Sequence, residues 1–218
     1  CESKGEKHWL DWFESRSYTL LFVDGNHENH KRLAEYPVKE WNGGNVHEIR
    51  PHVLHLMRGE VYTINGIKFF AFGGASSHDI KDGILDRNDF ADEEDFKETY
   101  KLWWRQGRMF RVKDMSWWSE ELPTDTEMEN GIKNLAAHDN KVDYIISHTP
   151  SSSVIALIGH GFYKQDILTK YLEDIRASTE YKKHYSRDYS YSINKKEKRL
   201  ALKSALSTKT IENGIIVL

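Results

Sequence analysis

Three consecutive polar residues, Asn26, His27 and Glu28, have side chains that could do chemistry, and they closely follow an apolar run. The run is Leu-Leu-Phe-Val at residues 20–23, which predicts a buried strand, and an Asp-Gly pair ends it. The oxygen of Asn26 could bind a metal ion, and His27 could donate a proton while Glu28 orients its ring. We therefore expect a site at the edge of an α/β sheet, where such folds place their chemistry. The alternative is an ordinary turn built from residues that favour turns.

Two later segments favour the functional interpretation. Residues 142–150 read Val-Asp-Tyr-Ile-Ile-Ser-His-Thr-Pro, which predicts a second buried strand that ends at His148. Residues 69–79 read Phe-Phe-Ala-Phe-Gly-Gly-Ala-Ser-Ser-His-Asp, a strand followed by a glycine turn. Together with Gly-Asn-His-Glu at residues 25–28, these segments resemble the calcineurin-like metallophosphoesterases over residues 1 to about 176.

This resemblance implies an α/β fold, namely an incomplete metallophosphoesterase-like β-sandwich with flanking helices. It also implies two divalent metal ions (Mn, Fe or Zn) that hydrolyse a phosphate-ester substrate, either a phosphomonoester or a phosphodiester. Asn26 and His148 match two ligands of one ion. His27 matches the catalytic residue beside the phosphate, and Glu28 supports it.

The chain departs from the family pattern at both ends of this region. The family's Asp-x-His and Gly-Asp motifs should precede residue 24, and neither is present there. Gly159-His160 resembles the family's late Gly-His-x-His motif only superficially, because Phe162 occupies the place of the second histidine. We therefore interpret the chain as a fragment that begins just past the second ligand motif, and we expect impaired hydrolysis.

Residues 82–118 are predicted to form a long irregular insertion, of the kind that often covers a site. Arg108 and Arg111 in this insertion could bind substrate phosphate through charge-assisted hydrogen bonds. The alternative is that its tryptophans pack a subdomain while its arginines are solvated. Three other histidines, His47, His52 and His55, fit alternation along strands better than a cluster of metal ligands.

Local patterns predict the other elements. Residues 6–13 predict a helix with a core-facing stripe of Trp9, Leu10, Trp12 and Phe13. Asn65-Gly66 between two apolar runs predicts a hairpin. Further helices are expected at 29–36, at 124–137 with a capping box, and at 166–175. The last of these has one apolar face formed by Ile167, Leu168, Tyr171, Leu172 and Ile175. Further strands are expected at 18–23, 53–57, 60–64, 68–72 and 142–147.

The end of the chain differs from the rest in charge. Residues 181–218 carry a net charge of +6 and the preceding residues −9, which indicates a separate module, and we divide the chain into domains at 1–178 and 179–218. Residues from about 183 to 218 resemble the C-terminal part of bacterial large-subunit ribosomal protein four, most specifically in Arg-Leu-Ala-Leu-Lys-Ser-Ala-Leu-Ser at 199–207. The resemblance implies a basic helix followed by a strand and suggests RNA as a partner. The candidates for neutralising RNA phosphates are Lys195, Lys196, Lys198, Arg199 and Lys203. Alternatively, the helix packs its leucines on the body and leaves its lysines in water.

Composition sets the remaining bounds. With 218 residues, 39% hydrophobic and 12% aromatic, the chain can bury a core. It has no apolar run of membrane-spanning length, so we expect no membrane partner, and the single cysteine, Cys1, suits a reducing compartment such as the cytoplasm. Two functions remain open: a metal-dependent phosphoesterase, which accounts for most of the chain, and an RNA-binding, ribosome-associated module. The joining of two such segments is compatible with a natural fusion, an engineered fusion or a sequence assembled from two fragments.

Overall fold

The computed structural model describes residues 3–158, 165–186 and 215–217, the last of these as backbone only. Its helices are α1 (Lys4–Glu14), α2 (His30–Ala34), α3 (Glu93–Arg105), α4 (Asp125–Ala136), α5 (Ser152–Ile158) and α6 (Ile167–Ser178). Its strands are β1 (Thr19–Phe22), β2 (Val38–Trp41), β3 (Gly44–Arg50), β4 (Val53–Leu56), β5 (Glu60–Ile64), β6 (Ile67–Phe72), β7 (Gly83–Leu85), β8 (Phe110–Val112), β9 (Tyr144–Ser147), β10 (Lys183–Tyr185) and β11 (Ile215–Val217). Short 3₁₀ helices lie at Arg87–Asp89 and Ser119–Glu121.

The strands of the described residues form two larger sheets and a small one. The first sheet has the order β11-β1-β4-β3-β2, in which β1 runs parallel to β11 and β4 while β3 is antiparallel to both β4 and β2. The second has the order β10-β9-β6-β5, with a parallel β10-β9-β6 part and the antiparallel pair β5-β6. Strands β7 and β8 pair in parallel within the insertion.

Apolar clusters place the two larger sheets face to face, with helices outside. One cluster draws residues from both sheets, among them Leu21, Val46, Leu54, Tyr62, Ala71 and Ile146. Leu10 and Phe13 of α1 and Leu33 of α2 pack on the outer face of the first sheet. Leu135 of α4 and Leu168 and Leu172 of α6 pack on the second. The chain is thus a mixed α/β structure with four layers, and each fully buried Leu or Phe contributes about 1.5–3 kcal/mol relative to exposure.

Several elements form where local patterns predicted them. The Asn65-Gly66 turn joins β5 to β6, and both residues have positive φ (52° and 79°), as a two-residue hairpin requires. Thr124 and Glu127 form the predicted capping box of α4. None of the described helices is long and apolar enough to cross a membrane.

The core-facing stripes predicted for two helices need correction. Trp9 is 58% exposed, because it and Leu10 are successive residues, about 100° apart around the helix, and Leu10 faces the sheet. On α6, Ile167 is 48% exposed, whereas Leu168, Tyr171, Leu172 and Ile175 are buried as predicted.

The insertion at residues 82–118 is more regular than predicted. It contains α3, whose Phe96 and Trp103 pack with Leu85 of β7 and Val112 of β8. The prediction of an irregular segment was wrong: α3 is mostly charged, but Phe96, Tyr100 and Trp103 recur at the helical spacing i, i+4 and i+7. Only some tryptophans pack a subdomain, which was the alternative interpretation of this insertion. Trp103 packs in this cluster, whereas Trp104 is 70% exposed.

Candidate functional site

The turn after β1 and the turn after β9 meet at one edge of the two sheets. The imidazole of His148 lies directly against Gly25, where a Cβ atom would come within 2.5 Å of the His148 Cε1 atom. Only glycine permits this close approach without movement of the ring. The two segments that the sequence singled out are therefore in contact, although Gly25 and His148 are 123 positions apart in the chain.

Asn26 is buried and its amide is held in one orientation. Its Nδ2 donates to the Oγ of Ser77 at 3.2 Å, and Ser77 Oγ in turn donates to a carboxylate oxygen of Glu121 at 2.6 Å. The backbone N–H of Ser77 donates to the other oxygen of Glu121 at 2.8 Å. This arrangement uses the amide nitrogen of Asn26 for structure, and the amide oxygen is the atom with which asparagine binds hard metal ions.

Glu28 has a different partner from the one expected. Its carboxylate accepts a hydrogen bond from the backbone N–H of Gly25 at 2.8 Å, so it fixes the turn rather than the His27 ring. The imidazole of His27 is exposed at the same edge. The carboxylate of Asp79 lies near enough for the charge of His27 to lower the pKa of Asp79.

Arg111 reaches this edge from the insertion. Its guanidinium donates through Nε to Asp79 Oδ2 at 2.9 Å, and Nη2 makes a second contact with the same oxygen. The hydrogen bonds from Arg111 are the largest cause of the lowered pKa of Asp79, and its charge adds to them. Arg108 does not join this group: its guanidinium lies over the Trp103 ring, 4.7 Å from the ring centroid. Of the two predicted phosphate-binding arginines, Arg111 lies near His27, and Arg108 lies against the aromatic cluster.

A buried ionic network lies behind the turn. Asp24, 1% exposed, accepts hydrogen bonds from Arg58 and contacts His55 Nε2 at 3.1 Å. Burial opposes ionisation of Asp24, but the hydrogen bond from His55 and the charge of Arg58 outweigh it and lower the pKa. The His55 ring stacks on its cross-strand partner His47 with 5.3 Å between centroids, whereas His52 lies in the turn between β3 and β4 and not on a strand as predicted. Burial lowers the pKa of His47 to about 4.

This network borders a cavity of about 230 Å³. His30 is buried in its wall, with Nδ1 3.8 Å from Asp24 Oδ2, and its Nε2 forms no hydrogen bond within the described residues. Desolvation is the main cause of the lowered pKa of His30. The backbone of Asp24 also accepts a hydrogen bond from the N–H of Gly74 at 2.8 Å, which joins the β1 and β6 turns.

Strand β10 adds a histidine close to His148. The Nε2 of His184 lies 2.7 Å from the Oγ of Ser147, the residue before His148. Burial lowers the pKa of His184 to about 4, so the ring is neutral near pH 7. No prediction from the sequence included this contact.

The residues of the site fit a pair of metal ions only in part. Asn26 and His148 lie on adjoining turns, and both are neutral ligands. In residues 3–158 and 165–186, no group of three His, Cys, Asp or Glu side chains is arranged to hold a metal ion. The remaining predicted residues lie outside the described part of the chain: Cys1, Gly159, His160, Phe162, Lys195, Lys196, Lys198, Arg199 and Lys203.

Comparison with known proteins identifies the end of the chain. Residues 183–218 match the model of the Ribosomal protein L4/L1 family. The large ribosomal subunit protein uL4 of Lachnospira eligens is 66% identical over 32 residues, which is 15% of this chain and 16% of that protein. The uL4 protein of Thermoanaerobacter sp. is 72% identical over 32 residues, with the same shares of both chains. The chain thus spans about one-sixth of the length of these curated relatives. No solved structure is significantly similar to it.

The match begins within the described fold. Residue 183, where it starts, is the first residue of β10, and β11 falls near its end. The resemblance of the tail to ribosomal protein four is confirmed, whereas the match does not extend to the turns that carry Asn26 and His148.

Proposed function

We propose that residues 3–186 carry part of a metal-dependent phosphoesterase site. The observation that carries the proposal is the contact between His148 and Gly25, because it joins the two turns whose Asn26 and His148 resemble metal ligands. The orientation of Asn26 by Ser77 supports it, since the amide nitrogen is engaged and the oxygen is the atom suited to a metal. The fold that corresponds to such a site is an α/β sandwich of the metallophosphoesterase type. The corresponding reaction is hydrolysis of a phosphomonoester or phosphodiester.

In this proposal, residues of the chain have distinct tasks. The exposed imidazole of His27 protonates the leaving oxygen of the substrate. Glu28 holds the Gly25 turn in place through its 2.8 Å hydrogen bond. Arg111 balances the charge of Asp79 beside His27, so that this carboxylate does not repel a phosphate at full strength.

The described residues supply too few metal ligands for a complete two-metal site. In complete two-metal sites, ions about 3.5–4 Å apart activate water and stabilise the charge that develops on the phosphoryl oxygens. Two neutral ligands hold a divalent ion weakly, and the described residues offer no three-residue group of His, Cys, Asp or Glu. We therefore expect this chain alone to show little or no hydrolysis.

Calorimetric titration with Mn²⁺ tests the proposal. We expect one weak site, lost in Asn26→Leu and in His148→Ala and retained in the matched control His52→Ala, whose ring pairs with Glu14 at 3.1 Å on another surface. Unchanged Mn²⁺ binding in both site variants would refute the metal site. Metal-dependent turnover of bis(p-nitrophenyl) phosphate by the purified chain would instead show that other residues complete the ligand set.

The family match favours a second candidate function, RNA binding by the tail. Residues 183–218 resemble a protein of the large ribosomal subunit, and they are rich in cations. Each phosphate contact with single-stranded RNA adds about 0.7 to the slope of log Kobs against log salt concentration. We expect replacement of Lys195, Lys196, Lys198, Arg199 and Lys203 by glutamine to lower that slope by up to about 3.5. An unchanged affinity and slope for RNA would exclude this role of the tail.

A further inference from the structure

Helix α3 presents two aromatic rings to solvent. Trp104 is 70% exposed and Tyr100 is 37% exposed, and the rings lie within 15° of parallel with 6.4 Å between centroids. Their spacing of four residues places them one above the other along the helix. Contiguous exposed apolar surface marks interaction sites, whereas single exposed apolar residues are common.

Packing holds the Tyr100 ring in place. Phe110 of β8 contacts the Tyr100 ring edge to face with 5.4 Å between centroids, and it contacts Trp103 in the same way at 5.3 Å. Phe96 lies behind Tyr100, with 6.3 Å between centroids. The Tyr100 ring is therefore supported from below, and the Trp104 ring stacks on it, which limits the side-chain entropy lost when a partner stacks on the pair.

Cations flank the rings. Lys101 and Arg105 form a second stripe at a spacing of four residues, and Lys101 lies one turn from Trp104. Arg108 follows the helix. None of these three forms an ion pair within residues 3–158 and 165–186. Of the acidic residues of α3, Glu93, Glu94 and Asp95 lie in its first turn, and Glu98 lies one turn before Lys101. The surface at the C-terminal end of α3 thus combines exposed ring faces with cations available for phosphates.

The same insertion reaches the candidate site. Phe110, which supports Tyr100, precedes Arg111 on β8, so the two side chains lie on opposite faces of that strand. Arg111 pairs with Asp79 near the edge at which His27 is exposed. Strand β8 therefore joins the packing below the rings to the edge of the candidate site.

From these observations we infer that the surface formed by Tyr100, Lys101, Trp104, Arg105 and Arg108 binds single-stranded nucleic acid, with bases stacked on the rings and phosphates on the cations. Stacking is independent of base identity, because every base has a π-face, and a single strand exposes its bases whereas a duplex does not. On the basis of the proposed function, we further infer that the phosphoesterase site acts on a nucleic-acid phosphodiester.

Fluorescence anisotropy of labelled oligonucleotides, with the full chain in EDTA, tests this surface without metal or hydrolysis. We use a 20-nucleotide oligo(dT), an oligo(rU) and a duplex of the same length. Trp104→Ala should weaken binding of both single strands about 5- to 150-fold, which corresponds to the loss of one stacked base. Lys101→Gln combined with Arg105→Gln should lower the salt slope by about 1.4. The matched control is Trp9→Ala, which removes a tryptophan that is 58% exposed on α1, and it should leave affinity unchanged.

Two outcomes would overturn the inference. The first is equal oligonucleotide binding by Trp104→Ala and the unaltered chain, with all binding lost when the five tail cations are replaced by glutamine. The second is Trp104-dependent binding to vesicles with about 30% phosphatidylserine and none to the oligonucleotides, which would make the surface a lipid-binding one. Because the assay contains EDTA, nucleic-acid binding without a Mn²⁺ site would remove only the phosphoesterase proposal. A Mn²⁺ site without Trp104-dependent binding would remove only this inference.

Discussion

The guanidinium of Arg58 and the carboxylate of Asp24 form a buried ion pair, with Nε 3.1 Å and Nη2 2.5 Å from the same oxygen. Arg58 also donates to the backbone oxygen of Glu120 at 2.8 Å and pairs with Glu127 at 3.4 Å. It thereby connects the residue before Gly25 to the segment that leads into α4. The ion pair is a support of the candidate site rather than a part of its chemistry.

Replacing Arg58 by methionine should destabilise the fold by about 3–5 kcal/mol at pH 7, because Asp24 would be left buried without its cation. The pKa of Asp24 is lowered in the folded chain, so the cost should shrink as the pH falls and this carboxyl group becomes protonated in the variant. Urea unfolding at pH 7 and pH 4 measures both effects. The control is Arg50→Met, whose Nε lies 4.0 Å from an exposed carboxylate of Asp11 and should cost less than about 1 kcal/mol. Equal costs for the two substitutions would contradict the structural role of the buried pair.

Gly25→Ala should displace the His148 ring, since the new Cβ would lie 2.5 Å from Cε1. We expect a loss of about 1–3 kcal/mol in the free energy of unfolding and a shifted Cε1–H NMR signal of His148. Gly5→Ala is the matched control, because its Cβ would meet only Ser3 Oγ at 3.9 Å and alanine favours α1 by up to about 1 kcal/mol. An unmoved His148 signal in Gly25→Ala would show that the two turns do not touch.

Ser77→Ala should cost about 1–3 kcal/mol, because Ser77 satisfies both Asn26 and the buried carboxylate of Glu121. The comparison is Ser119→Ala, which removes an exposed 3.0 Å hydrogen bond to Glu120. Thermal unfolding of the two variants measures the difference, and weaker Mn²⁺ binding should accompany the first only. If Ser77→Ala were as stable as Ser119→Ala, Asn26 would not be held as described.

Acid should weaken the fold through His184. The pKa of this imidazole is lowered to about 4 in the folded chain, from an ordinary value of about 6.5, because the ring is desolvated. The unfolded chain therefore binds the proton more readily, so stability is complete above about pH 6.5 and is lost as the pH falls toward 4.

The urea midpoint at pH 7.5 and pH 5 measures this dependence. His184→Gln should reduce the difference between the two midpoints, and part of it should remain because burial also lowers the pKa of His47. His8→Gln, on the exposed surface of α1, controls for the loss of an imidazole as such. An identical pH difference in His184→Gln and the unaltered chain would place the His184 ring in solvent.

The features that the sequence predicted correctly are those with short-range patterns. The capping box of α4 and the Asn65-Gly66 hairpin depend on neighbouring residues. The meeting of Gly25 with His148 was foreseeable because each ends an apolar strand, and strand ends of one α/β structure tend to converge.

The supports of the site lacked such patterns. Ser77 and Glu121 are 44 residues apart, and Asp24 and Arg58 are 34 residues apart. Pairs of this kind depend on how the layers pack, so no local periodicity marks them. Strand β2 was missed for another reason, since it is a short, mostly exposed edge strand with two charged residues, Lys39 and Glu40, among its four.

The segment similar to ribosomal protein uL4 supplies an outer strand to each of the larger sheets. Strand β10 covers the β9 side of one sheet, and β11 covers the β1 side of the other. A truncation at residue 182 would uncover two rows of backbone donors and acceptors, and uncovered sheet edges recruit strands from other molecules. Loss of the tail would therefore produce aggregation that mimics a loss of ligand binding. Charge substitutions that leave both strands in place separate the two effects, whereas a deletion does not.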